Sequence, residues 1–223
     1  KDYKTAAFIK SVAFFADEDL AESEEKVTRS FKDIENFPDC DVFVCLTGDQ
    51  ITGLITASKY KMNFHGSFID IYALSGVSVH INYRKTGVAD EMIRFFLEYA
   101  QKQGASIVML YPYRPSYYKK YGFGWGTEKY EYTVQTQDLS FTENKNIVSF
   151  MPGSTERVRK IHDAYARVTH GMCLYTDYEW DNFKSDIGDG SIVLIKDDDD
   201  KYIGYAIIKF EKDPAYNPYD QTI

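Results

Sequence analysis

"VSVHINYRKTGVADEMIRFFLEYA", residues 77–100, opens with the alternation of a β-strand and closes with the three- and four-residue spacing of an amphipathic helix. Between them lies Arg84-Lys85-Thr86-Gly87-Val88-Ala89, a basic turn that contains a glycine. In the helix, Val88, Ala89, Met92, Ile93, Phe96 and Ala100 share one face, while Asp90, Glu91, Arg94, Glu98 and Gln101 lie mostly elsewhere. Gly104 ends it. A strand that turns directly into a helix is the step of an α/β fold, and the remaining segments are placed by reference to it.

Upstream, residues 1–37 read as helical, with Ala7, Phe8, Val12 and Phe15 spaced for one face and Val27, Phe31 and Ile34 for another. Pro38 closes that region. "DVFVCLTGDQITGLITASKY" reads as two β runs around the turn Thr47-Gly48-Asp49-Gln50, and "FIDIYALSGVSVH" as a further strand leading into the basic turn. Downstream come a strand in "SIVMLYP", a short Tyr-rich segment in "PSYYKKYGFGWG", and an alternating strand in "EKYEYTVQ". This order predicts a mixed α/β domain over residues 1–138.

A second unit is expected over residues 146–223. "TERVRKIHDAYARVTHG" predicts a helix whose Val158, Ile161, Ala164, Tyr165 and Val168 share a face. "SIVLIKDDDDKYIGYAIIKF" then repeats the plan of "DVFVCLTGDQITGLITASKY": a β run, an acidic turn, a second β run, and an early glycine in the second run at Gly53 and Gly204. Asp197 to Asp200 are thus expected to form a solvated hairpin tip rather than a cation site. No further strand, basic turn and helix follow, so the second copy reads as truncated.

Composition narrows the function classes. Hydrophobic residues at 44% and aromatic residues at 16% supply a core, so disorder is not expected. No apolar run approaches the roughly 20 residues of a membrane span, and a cytoplasmic protein without a membrane partner is expected. Cys40, Cys45 and Cys173 fit neither a disulfide framework nor zinc spacing, so they are expected as buried free thiols with no metal bound. A formal charge of -8 argues against nucleic acid and favours cationic partners, amines included.

The basic turn points to an anion. A helix whose first amides are free offers several N–H donors and the positive end of its dipole to phosphate oxygens. Gly87 lets a bulky anion approach the backbone, and Arg84 and Lys85 add charge. Neither the dinucleotide pattern G-x-G-x-x-G nor the nucleoside-triphosphate pattern G-x-x-x-x-G-K-[ST] is present.

The turn instead matches R/Q-x-x-G-x-G/A, and with "LSGVSVHINYRKTGVADEMIRFFLEYA" before "LYPYRPSYYKKYGFGWG" the chain resembles the GNAT N-acetyltransferases, in their enhanced-intracellular-survival (Eis-like) branch. The resemblance covers residues 1 to 138 well and extends more loosely to 210, as a partial second GNAT-like unit. It implies acetyl-CoA as co-substrate, with no metal. Backbone groups of Val77, Ser78 and Val79 would receive the pantetheine arm as an added strand. Arg84, Lys85, Thr86, Gly87, Val88 and Ala89 would hold the pyrophosphate. Alignment on "YKKYGFG" makes Tyr118 the general acid, with Tyr117 and Tyr121 as neighbours that complicate the choice.

The chemistry suits a phenol. An amine attacks the thioester carbonyl, charge develops on oxygen, and the departing thiolate benefits from a proton donor; tyrosine, with an ordinary pKa near 10, is protonated at neutral pH. In the Eis-like branch the base is the terminal carboxylate of a third region; this sequence ends inside the second unit, so it is either a fragment of a longer protein or uses something else, such as water or His80, and no base is assigned. His65, His162 and His170 have no pairing that suggests catalysis. The resemblance implies a small-molecule or peptide amine as acceptor, such as an aminoglycoside or a lysine side chain, and favours a homo-oligomer. The alternative is a non-catalytic coenzyme A-binding or scaffold module that keeps the fold.

Overall fold

The computed structural model describes residues 3–15, 19–34, 36–126, 130, 132, 147–149, 155–187 and 191–208. The expected strand in "EKYEYTVQ" and the unit boundaries near 138 and 146 fall outside this set, apart from the single residues 130 and 132. Two compact units emerge: Lys1–Tyr130 together with Ala166–Tyr178, and Glu131–Tyr165 together with Glu179–Ile223.

In the first unit, α1 (Tyr3–Phe14) and α2 (Leu20–Ile34) precede three antiparallel strands, β1 (Cys40–Thr47), β2 (Gln50–Phe64) and β3 (Ser67–Val79). A 3-10 turn (Ile81–Tyr83) leads to α3 (Val88–Lys102), after which β4 (Val108–Leu110) pairs parallel with β3. The short α4 (Pro115–Tyr118) and a second 3-10 turn (Lys119–Tyr121) follow. The strand order is β1-β2-β3-β4.

Strand alternation gives the sheet two buried faces. Leu54 packs with Ala6, Ala7, Ile9, Val27 and Phe31 of α1 and α2. Ile55, one residue on, packs with Val88, Met92, Ile93, Phe96 and Ala100 of α3. The α3 face thus matches its expected stripe except for Ala89, which is only half-buried. The α1 face does not match. Its buried residues are Ala6, Ala7, Ile9 and Ser11, with Phe8, Val12 and Phe15 only partly covered. Small side chains bring a helix close to a sheet, and the larger aromatics are left at its margins.

Gly53 sets how closely α3 approaches. A Cβ built there would lie 2.9 Å from Val88 Cγ1 and 2.8 Å from Met92 Cε. Met92 can yield, but the β-branched Val88 has little freedom. Gly53→Ala should therefore cost about 1 to 2 kcal/mol by overpacking, read as a lower urea midpoint at unchanged slope.

An unexpected strand completes this sheet. β6 (Cys173–Leu174) pairs antiparallel with β2 through Met62↔Cys173 and Lys61↔Leu174. Asn63, only 1% exposed, secures the junction. Its side-chain amide donates to the carbonyls of Ala166 at 2.9 Å and Arg167 at 2.7 Å, and its side-chain oxygen accepts from the Gly66 amide at 2.8 Å. Asn63→Ala leaves these groups without partners and should cost about 2 kcal/mol. Asn63→Asp should not rescue it, because a carboxylate cannot donate to two carbonyls. Thermal denaturation of both variants checks this.

The second unit is built from α5 (Thr155–Val168, up to Tyr165), α6 (Asp177–Ile187, from Glu179) and a sheet of order β5-β7-β8, comprising Ile147–Ser149, Ser191–Lys196 and Tyr202–Ile208. Its core holds Val158, Ile161, Trp180, Phe183, Ile187, Ile192 and Leu194. The helix α6 was not anticipated. The buried stripe of α5 also differs from expectation: it runs Val158, Ile161, His162, Ala166, whereas Tyr165 and Val168 are 58% and 81% exposed and Ala164 is exposed too. The polar His162 inside the stripe, flanked by Trp180, conceals the true period.

The β7–β8 and β1–β2 hairpins are laid out alike. Gly53 opposes Cys45 and Gly204 opposes Ile195, and in each hairpin the register shifts at the next residue toward the turn. At the β7–β8 tip, Asp197 builds the turn by accepting the amides of Asp199 at 3.1 Å and Lys201 at 2.9 Å. Lys196 pairs with Asp200, and Asp198 to Asp200 are exposed. Among the described residues no cluster of three or more His, Cys, Asp or Glu could hold a metal, and no helix is long and apolar enough to cross a membrane. All three cysteines are free thiols, half-buried rather than buried.

Candidate active site

The sheet opens where β3 outruns β4. Parallel pairing covers Tyr72↔Val108, Ala73↔Met109 and Leu74↔Leu110 only, whereas β3 continues to Val79. Past Leu74 that edge of β3 has no strand partner among the described residues. On its other side β3 carries a bulge against β2: Thr56 opposes Ser75 and Leu54 opposes Ser78, so one extra β3 residue is accommodated. Gly76, at φ +62°, takes the left-handed conformation there. An isolated glycine inside a strand pattern is the sequence signal for such a bulge.

The bulge decides which backbone groups face the open edge. His80 N–H donates to Thr52 O at 2.9 Å, so His80 faces β2 and Val79 faces away. Val77 shares the outward set, and Ser78 turns its backbone toward β2. Of the three expected residues, Val77 and Val79 therefore present main-chain groups to the opening, and Ser78 does not. Ser78, 1% exposed, instead braces the bulge by donating its hydroxyl to Gly76 O at 3.0 Å.

The basic turn follows at once. Lys85 at φ +66° and Gly87 at φ +100° both adopt left-handed conformations, which curl the backbone ahead of α3. Gly87 is the N-cap, and among the described residues no side chain caps it. The first intrahelical bond is Glu91 N–H to Gly87 O at 3.0 Å, which leaves the amides of Val88, Ala89 and Asp90 ahead of it. Arg84, Lys85, Thr86 and Gly87 are all exposed. The Thr86 hydroxyl is committed to Tyr83 O at 2.7 Å, so this residue can offer a ligand only its backbone. Arg84 Nε lies 3.4 Å from Val79 O, bridging the turn and the open strand edge.

The three tyrosines of the α4 region separate by their partners. Asp90, in the first turn of α3, accepts the Tyr121 hydroxyl and the Lys120 ammonium, which ties the α4 region to the start of α3. Tyr121 O–H also lies 3.4 Å from the Tyr117 hydroxyl. Tyr118, half-buried, stacks edge-on to Tyr117 at 5.3 Å and Phe123 at 6.0 Å, and its hydroxyl has no hydrogen-bond partner among the described residues. Burial, and then the neighbouring Tyr117, raise the Tyr118 phenol above its ordinary range. Burial also raises Tyr117, with Asp90 adding to it. Val77, Val79, Tyr117, Tyr118 and Tyr121 all pack on the α3 face of the sheet.

The histidines have local roles. His80 Nδ1 accepts the Asn82 amide at 3.3 Å and so caps the 3-10 turn after β3. His65 and His170 stack at 4.2 Å between the β2–β3 turn and the segment before β6.

Comparison with known proteins bears on the family and the fold. The family model described as Acetyltransferase (GNAT) domain matches residues 3–126. No curated protein matches the sequence. Among solved structures, a protein from Enterococcus faecalis V583, described as a conserved protein of unknown function and "Probable N-Acyltransferase", superposes with a TM-score of 0.73 at 19% identity, covering 94% of this chain and 53% of its own. A GCN5-related N-acetyltransferase from Kribbella flavida gives 0.66 at 17% identity, covering 93% and 55%. This chain thus spans about half the length of these two structures. At such identities the likeness speaks for fold alone, and the family rests on the sequence match over more than half of the chain: it belongs to the GNAT acetyltransferases and has their mixed α/β fold.

Proposed function

We propose that this chain carries the acetyl-CoA site of an N-acetyltransferase of the Eis-like branch, acting on a primary amine. The observation that carries the reading is the uncapped start of α3, lying directly after a β3 edge that β4 leaves open. Free amides of Val88, Ala89 and Asp90, with Arg84 and Lys85 beside them, suit a diphosphate. Outward main-chain groups of Val77 and Val79 suit the amide-bearing arm that follows it. Tyr118 is the phenol free to give a proton to the leaving thiolate. The second GNAT-like unit expected over 146–223 belongs to the same reading, and the like layout of the β1–β2 and β7–β8 hairpins supports it.

The acceptor is best read as a cationic amine, a multi-amine small molecule such as an aminoglycoside or a lysine side chain, since the chain carries a net charge of -8. A cytoplasmic homo-oligomer belongs to the same reading.

Acetyl-CoA should raise the melting temperature, as any ligand of the native state does. Thiol release with a panel of amines should then exceed the rate without amine. Stabilisation with no amine-dependent thiol release would instead favour a coenzyme A-binding module without turnover. Absence of stabilisation would remove the proposed site.

A further inference from the structure

The sheet face opposite α3 holds a lysine at the same bulge. Lys10 of α1 reaches across to Gly76: a Cβ built on Gly76 would lie 3.8 Å from Lys10 Cε and 3.9 Å from Lys10 Nζ. The same position lies 3.2 Å from Thr56 Oγ1. Thr56, 5% exposed, has a buried hydroxyl with no hydrogen-bond partner among the described residues. The Phe31 ring lies 5.1 Å below the Lys10 ammonium, and among the described residues no carboxylate pairs with it. Lys10 is half-buried, with a glycine and a hydroxyl beside it and no carboxylate, so burial works against its charge while the face of the Phe31 ring favours it. Its burial lowers its pKa, with Cys40 opposing the shift.

We propose that Lys10 is an acetyl acceptor in its own right, modified by the acetyl-CoA bound at the β3 bulge; this rests on the site described under Proposed function. The pantetheine arm running along Val77 and Val79 would bring its thioester to the bulge at Gly76, within reach of Lys10 Nζ. The neutral amine's lone pair forms the N–C bond to the acetyl carbonyl carbon and the C–S bond breaks. Coenzyme A leaves as the thiolate and takes the Tyr118 hydroxyl proton, while the surplus proton on nitrogen goes to water, from which Tyr118 is reprotonated. The product is an Nζ-acetyl-lysine, uncharged and able to accept a hydrogen bond from Thr56, which the ammonium cannot do. Desolvation in an apolar setting is how lysine nucleophiles are activated.

The full chain is incubated with acetyl-CoA in the absence of any acceptor amine, and acetylation at Lys10 and at Lys102, in the last turn of α3, is followed by peptide mass spectrometry. Lys10 should be modified at least about a hundredfold faster than Lys102, and Tyr118→Phe should slow Lys10 by a similar factor without affecting Lys102. Independently of acetyl-CoA, competitive labelling with acetic anhydride should give Lys10 a midpoint at lower pH than Lys102, and coenzyme A should protect Lys10 selectively. Thermal stabilisation by acetyl-CoA with Lys10 no faster than Lys102 would overturn this inference and leave the site standing. No stabilisation and no Lys10 preference would overturn both.

Discussion

Tyr118→Phe should lower amine-dependent thiol release by about a hundredfold to ten-thousandfold while leaving acetyl-CoA affinity and thermal stability essentially unchanged. The prediction separates chemistry from packing. Phe keeps the ring that stacks on Tyr117 and Phe123. The deleted hydroxyl makes no hydrogen bond among the described residues, so its removal strands no partner and costs little stability. What is lost is a proton donor in the step that expels the thiolate. Burial of the Tyr118 phenol, which raises its pKa, gives the pH sign. The protonated form is the active one, so it persists through neutrality, and the alkaline fall in rate should lie above the ordinary tyrosine range near 10. Tyr121→Phe is the contrasting variant. It breaks the bond to Asp90 that helps hold the α4 region against α3, so its effect should appear mainly as a lower melting temperature. If Tyr121→Phe abolished turnover and Tyr118→Phe did not, the acid would be Tyr121.

What could be read from the sequence was local. Val88, Met92, Ile93, Phe96 and Ala100 repeat at helical spacing next to a strand, so the βα step and its buried face follow from nearest-neighbour pattern. The hairpin around Gly48 is equally local. Features closed by distant residues were not legible. β6 contributes two residues to the first sheet from more than a hundred positions downstream of β2, and "GMCLY" carries no pattern that names its partner. Asn63 looks like a solvent-facing polar residue on a strand, yet it is buried because two helix-end carbonyls come to meet it. At the site, the turn was visible as a motif, but the distinction between Val77 and Val79, which face the opening, and Ser78, which does not, depends on the Gly76 bulge. A one-residue shift in a strand exchanges every group between its two sides. Among the tyrosines, sequence offered three candidates; Asp90, 31 residues earlier in the chain, is what occupies Tyr121.

Gly87→Val should weaken acetyl-CoA binding about a hundredfold or more, with only a modest loss of stability, and it tests the grip at the start of α3 separately from the chemistry. Gly87 stands at φ +100°, where a β-branched residue is strained by about 1 to 3 kcal/mol. Yet a Cβ at Gly87 would meet no atom of the described residues within 4 Å. The space in front of it is open, so the side chain disturbs no packing in the free protein and the stability cost is that of the backbone alone. A diphosphate drawn onto the Val88, Ala89 and Asp90 amides would meet the added methyls, and a backbone that relaxes to escape the strain would carry those amides out of alignment. Both effects fall on the bound state. Gly104→Val provides the comparison, because Gly104 has φ +82° and is likewise free of neighbours, but it lies at the other end of the same helix. The two variants should lose similar stability in denaturation and differ only in calorimetric affinity for acetyl-CoA. Turnover at saturating acetyl-CoA should survive in Gly87→Val, since Tyr118 is untouched. Equal affinities for the two variants would mean that the anion is held elsewhere, and the uncapped helix start would lose its part in binding.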